Sequence, residues 1–225
     1  MNSHPRKQTG GELLPLSFYA VSALEAAPRL LGQTLVRETS AGEIRCRIVE
    51  TESYGGVEDK GSHAYGGRRT ARTEIMFAPG GAAYIYLIYG MYHCLNVVTG
   101  PQDDPQAVLI RAVEPLTPAD EALMRACRGT SVRRPVDLSG GPGKLCRALA
   151  IDKSLNGAPL HSPGSPLRLE AAPAPAESIG AEPAIIAAPR INIAYAAEYA
   201  DMPWRFYYRD NPYVSVIDNK RGIPL

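Results

Sequence analysis

Cysteine is scarce in this chain, and the four present, Cys46, Cys94, Cys127 and Cys146, show no CxxC spacing. That argues against a disulfide framework and a thiolate zinc site, and predicts reduced, mostly buried thiols of a cytosolic protein. Histidine is as sparse. His4, His63, His93 and His161 are scattered, so no metal site is expected. No apolar run is long enough to span a bilayer, and none has the flanks of a signal peptide, so no membrane partner is expected. No internal repeat is visible. An excess of one charge is also missing: the formal net charge is +1, so bulk electrostatics do not announce a nucleic-acid binder. With 225 residues, 45% of them hydrophobic, the chain suits one globular domain with a real core.

What is present reads as strands with a few short helices. Residues 1 to 11 are polar and glycine-bearing and are expected to form a disordered tail ahead of a single domain over 12 to 225. Ser22-Ala23-Leu24-Glu25 is a capping box that opens a helix ending near Gly32, with a kink expected at Pro28. Strands follow at about 33 to 38 and 43 to 54, then a hairpin over 82 to 99 and a strand over 106 to 113. Thr117 caps a second helix with Pro118 in its first turn, and a third covers about 143 to 150. The Pro- and Ala-rich stretch 156 to 189 predicts loop with short strands, and Trp204 to Ile217 predicts strands again. The pattern points to an α+β fold with a curved, mainly antiparallel sheet and packed helices.

Three places break the local rule. In the strand from Glu43 to Tyr54, Ile44, Cys46 and Ile48 share one parity, which continues to Glu50, Glu52 and Tyr54. An apolar face that runs into carboxylates marks a candidate functional site. The bland alternative ends the strand at Val49 and leaves both carboxylates in water. Arg111 repeats the oddity between Leu109 and Val113, and an arginine there needs a partner such as Glu50 or Glu52. Tyr89-Gly90 falls where the hairpin turns, which puts an aromatic side chain at an exposed tip. Two basic clusters, Arg68, Arg69 and Arg72, then Arg125, Arg128, Arg133 and Arg134, are candidates for phosphate contacts or simply a solvated face. Gly141-Pro142-Gly143-Lys144 imitates a phosphate loop, but Leu145 stands where magnesium needs Ser or Thr, so it reads as a turn feeding a helix. No flavin or nucleotide motif is present, and no cofactor is expected.

Taken together, Arg47 to Tyr54, Ser62-His63, Gly66-Gly67-Arg68, Met76-Phe77, Tyr84 to Tyr92, Leu109 to Pro115, Ser139 to Cys146, and Arg205 to Tyr208 with Tyr213-Val214-Ser215 resemble the alkyladenine (3-methyladenine) DNA glycosylase family. The likeness spans roughly residues 17 to 218. It implies one α+β domain with a protruding β-hairpin, acting as a monomer on damaged double-stranded DNA. It also implies a monofunctional enzyme that flips alkylated, and in some cases deaminated, purines and hydrolyses their bond to deoxyribose. By resemblance Glu52 matches the general base and Arg111 the residue that helps hold the attacking water. Tyr54, His63 and Tyr86 match aromatic walls of the base pocket, and Asn96 the residue that rejects an exocyclic amino group. Tyr89 resembles the wedge, with Met91 beside it, and Arg68, Arg69, Arg72 and Lys144 are the expected DNA contacts. His93 departs from the family pattern. The cytoplasm is the expected site of action for a bacterial protein, the nucleus for a eukaryotic one. Two rivals remain open on the residues alone. One is a nucleoside or glycoside hydrolase using Glu50 and Glu52, whose Cα atoms lie about 6.6 Å apart on a strand. The other is a module that binds a flipped base without cutting.

Overall fold

The computed structural model describes residues 11–129, 132–172 and 183–225. In chain order the elements are α1 (Leu16–Tyr19), α2 (Ala23–Leu30), β1 (Thr34–Thr39), β2 (Gly42–Tyr54), β3 (Ala83–Ile88), β4 (Tyr92–Thr99) and β5 (Gln106–Pro115). Then come α3 (Pro118–Arg128), α4 (Pro135–Ser139), α5 (Pro142–Ala148), β6 (Leu167–Glu170), β7 (Ile185–Ala188), β8 (Arg205–Tyr208) and β9 (Ile223–Pro224). The helix starts follow their capping chemistry. The Ser22 side chain accepts from the Glu25 amide and the Thr117 side chain from the Asp120 amide, each satisfying an amide that the helix cannot. Pro28 sits inside α2 without ending it before Leu30.

All strand pairs are antiparallel, in the order β3-β4-β5-β2-β8-β7-β9, with β1 pairing β2 and β6. The long strand β2 is the pivot. Its first half pairs β1, its second half pairs β8, and β5 runs along its other edge. The main core lies between this sheet and the helices. Ala26, Ala27 and Leu30 of α2, Met124 of α3 and Leu145 of α5 pack on Ile44, Cys46, Ile48, Val108 and Ile110. Each large apolar side chain buried there is worth about 1.5–3 kcal/mol.

A β-bulge interrupts the alternation of β2 and β5. Ile48 faces Val113, Glu50 faces Ala112 and Thr51 faces Ile110, with register shifts around Glu50. As a result Ile48 and Thr51 both turn toward α2, and the Thr51 hydroxyl donates to the Ala27 carbonyl at 2.8 Å. The simple parity that puts Glu50 and Glu52 on the same face as Ile48 is therefore wrong. The bulge moves them, with Leu109 and Arg111, to the opposite face of the sheet. That face is buried too, since β2 is inaccessible from Ile48 to Ser53.

Other departures have local causes. The aromatic C-terminal segment makes a strand only to Tyr208. Asp210 then takes a left-handed φ of 59° and Asn211 accepts from the Tyr213 amide through its side chain, which turns the chain. The Pro- and Ala-rich stretch supplies the short strands β6 and β7, with residues 173–182 outside the described ones. Of the expected tail, 1–10 also lie outside them, while Gly11 donates its amide to Glu170 at 2.7 Å. No helix among the described residues is long and apolar enough to cross a membrane.

Candidate active site

The opposite face of β2 carries two carboxylates with different surroundings. Glu50 is fully buried and saturated. Its oxygens accept from Arg111 Nε at 3.2 Å, Arg205 Nη1 at 3.0 Å, and the Ser215 hydroxyl and amide at 3.0 and 2.7 Å. Glu52, also fully buried, is held by fewer groups. Its Oε1 accepts from the Ile191 amide at 2.7 Å and its Oε2 from the Tyr54 hydroxyl at 2.9 Å, with Arg111 Nη1 3.4 Å away. Burial opposes the charge on Arg111, but Glu52 and Glu50 outweigh it and hold its pKa above the ordinary arginine value. Burial pushes the Tyr54 phenol well up, so it stays protonated and donates.

Tyr54 and Arg111 open onto a cavity of about 460 Å³, a size that suits a purine. Its aromatic lining is assembled by the β3–β4 ladder and the loop after β2. Tyr84 and Tyr86 stand on one face of β3, and Asn96 sits opposite Tyr84 on β4. The His63 ring meets Tyr86 edge-on at 4.6 Å between centroids. His63 Nδ1 lies 2.9 Å from the Tyr84 hydroxyl. Asn96 is 3% exposed, and its Nδ2 donates to the Tyr84 carbonyl at 3.0 Å, which fixes the amide against the pocket. Behind Tyr54, the Arg190 guanidinium packs 4.7 Å from the ring centroid and pairs with Asp59, both side chains fully buried.

Burial, then the charges of Arg72 and Arg68, lower the His63 pKa to about 4. The imidazole is therefore neutral near pH 7, and a pH titration followed by NMR is expected to give a midpoint near 4. The unfolded chain takes up that proton below about 6.5. His63 thus contributes full stability above pH 6.5 and loses it as the pH falls toward 4. A midpoint at 6 or above would show a solvated ring and contradict the packing.

At the mouth stands the β3–β4 hairpin. Tyr89 and Gly90 occupy its turn at φ 52° and 68°, and the Met91 amide donates to the Ile88 carbonyl at 3.2 Å. Positive φ at both central positions matches the strand twist but strains a tyrosine. Tyr89 is 77% exposed and Met91 66%, an exposed apolar tip beside the cavity that Tyr89 helps line. Gly140, Gly141, Pro142, Gly143 and Lys144, the entry to α5, line the same cavity, so the stretch that imitates a phosphate loop is a turn into a helix. Lys144 Nζ donates to the Val136 carbonyl at 3.2 Å. Arg68 is exposed, whereas Arg69 is clamped between Glu74 and Asp103 at 2.6 and 2.8 Å. Arg125 and Arg134 likewise face Glu121 and Asp137, Arg128 donates to the Asp137 carbonyl, and Arg133 is exposed. These surface pairs are weak and exchangeable.

The site thus gathers Glu52, Arg111, Tyr54, His63, Tyr86, Asn96 and Tyr89, with Lys144 on the rim. It adds residues that the sequence did not single out: the Ile191 amide, Asp59 and Arg190, the Glu50 partners Arg205 and Ser215, and Tyr195, which lines the mouth. Arg205 and Ser215 lie in recognisable segments, but nothing local tells where their side chains go. Among the described residues no three His, Cys, Asp or Glu side chains gather as a metal site would require.

Comparison with known proteins covers most of the chain. Residues 17–212 match the family model described as methylpurine-DNA glycosylase. Relatives in Bacillus cereus, Bacillus thuringiensis and Bacillus anthracis, each provisionally named a 3-methyladenine DNA glycosylase, are 48% identical over 203 residues, covering 89% of this chain and 98% of theirs. A match over most of the chain, across the strands that build the cavity, shows that this protein belongs to the methylpurine-DNA glycosylase family.

Proposed function

We propose that the protein is a monofunctional glycosylase that flips alkylated purines, with deaminated purines in its range, out of duplex DNA and hydrolyses the N-glycosidic bond with an activated water. The observation that carries this reading is Glu52, a buried carboxylate held by Tyr54, Ile191 and Arg111, all three of which line an aromatic cavity. A base inside the duplex must leave the stack before a pocket can reach its sugar bond. Glu52 deprotonates the water and stabilises the oxocarbenium ion, and Arg111 holds the water. Tyr54, His63 and Tyr86 stack on the extruded purine, whose positive charge makes it both a cation–π ligand and a good leaving group. That is why one carboxylate suffices. Glu50 is a poor second one, because it is fully buried and its oxygens already accept four hydrogen bonds, from Arg111, Arg205 and the Ser215 hydroxyl and amide. Asn96 rejects purines with an amino group at its position. Arg68, Arg69, Arg72 and Lys144 serve the phosphates, a monomer suffices, and the work is done in a bacterial cytoplasm, at the start of base excision repair. Lys60, the other lysine near the motifs, is tied to Glu198 at 2.8 Å, which supports a hydrolase without a Schiff-base lyase step. Incubation with methylated duplex tests the reading: free methylpurine is released and the abasic strand stays unbroken.

Tyr89 and Met91 form the wedge that enters the gap. Tyr89→Gly removes the ring and also the left-handed strain, which costs about 1 kcal/mol in a non-glycine residue. The variant is expected to fold at least as stably as wild type by thermal melting. Its kcat/KM for base release falls about tenfold or more, on the scale of one lost stacking contact. Unchanged kcat/KM would remove the wedge role.

A further inference from the structure

The acidic groups around the cavity floor are already neutralised. Glu50 and Glu52 are matched by Arg111 and Arg205, and Asp59 by Arg190. Arg72 is different. Among the described residues its partners are aromatic: its guanidinium lies over the Tyr86 ring, Cζ 4.8 Å from the centroid. It is also close enough to Tyr84 and His63 for its charge to act on both. Tyr86 lines the cavity and Arg72 does not, so an unbalanced positive charge sits just outside the stacking surface.

Two consequences follow. A cation on a ring draws on the same quadrupole that would attract a cationic base. Its own charge also repels such a base through a partly desolvated site. Both effects act on a charged purine and spare a neutral one of the same shape. We propose that Arg72 is a specificity-determining residue that sets the charge preference of the pocket, weakening its hold on purines with a formal positive charge so that neutral lesions compete. This rests on the base-flipping reading above. It separates Arg72 from Arg68 and Arg69, whose charges do not lie on a pocket ring at this distance.

The test is binding to two duplexes that differ only in charge at the lesion. One carries 3-methyladenine, cationic while bonded to the sugar, and the other 3-deaza-3-methyladenine, its neutral isostere. Both use a 2′-fluoro sugar that resists hydrolysis, and affinity is read by fluorescence anisotropy. Arg72→Gln is expected to shift the affinity ratio about fivefold toward the cationic lesion, the scale of one nearby unit charge at an intermediate dielectric. Arg72→Lys keeps the charge and holds the ratio within about twofold of wild type. If Arg72→Gln weakens both duplexes equally, Arg72 is a phosphate contact only and the inference is overturned. If wild type holds neither lesion more tightly than undamaged duplex, the glycosylase reading itself fails and takes this inference with it.

Discussion

Glu52→Gln is expected to bind methylated duplex DNA nearly as well as wild type and to release methylpurine at least about 10³-fold more slowly in a single turnover. The substitution changes one atom and little of the packing. The amide oxygen of the new side chain can still accept from the Ile191 amide, and the Tyr54 hydroxyl can turn to accept from the new amino group. What is lost is the lone pair that takes the proton and the negative charge that faces the developing oxocarbenium ion. Arg111, 3.4 Å from Glu52, would then meet a donor in place of an acceptor, but Glu50 still neutralises it. Binding is preserved because the cavity walls and the Tyr89 hairpin are untouched. Wild type and variant that both bind without cutting would make the protein a lesion reader. A variant that cuts at the wild-type rate would remove Glu52 from the chemistry.

Much of the frame was legible because its signals are local. Ser22 and Thr117 cap their helices through their own side chains, and Tyr89-Gly90 turns the hairpin because only positive φ fits there. The presence of an odd carboxylate face was legible too, but its orientation was not. A bulge leaves no residue-type signature when both faces are buried, and alternation carried past Ile48 assigns Glu50 and Glu52 to the wrong side of β2. The second difficulty is distance along the chain. The Ile191 amide reaches Glu52 across 139 positions, and any residue supplies an amide. The pairing of Arg69 with Asp103 was hidden in the same way, since its partner lies 34 positions away in another loop. The end of β8 is a different case. Asp210-Asn211-Pro212 is a turn signal in plain view, masked by the strand-favouring aromatic residues on either side.

The same geometry separates the two carboxylates by a stability experiment. Glu50→Ala is expected to destabilise the fold by about 3–5 kcal/mol, the range for breaking a buried ion pair from one side. In a chain of this size that lowers Tm by about 10 °C. The reason lies in what the missing carboxylate leaves behind. Arg205 is 1% exposed and stays in place through the Pro189 and Val216 carbonyls, so its charge is left buried and uncompensated. The Ser215 amide and hydroxyl lose their acceptor together, which loosens the C-terminal segment that covers this face of β2. Arg111 keeps Glu52, from which its Nη1 stands 3.4 Å away, and the hydroxyl of the loosened Ser215 at 3.3 Å, so below the lowered Tm base release should fall by about tenfold through misplacement of Arg111. Glu52→Gln should show the reverse profile, with Tm within a few degrees of wild type and the chemistry gone. Calorimetry and single-turnover release on the same two variants distinguish a carboxylate that holds the site from one that reacts. If Glu50→Ala instead kept its Tm and lost the reaction, Glu50 would belong to the chemistry, and a two-carboxylate mechanism would replace the single-base one.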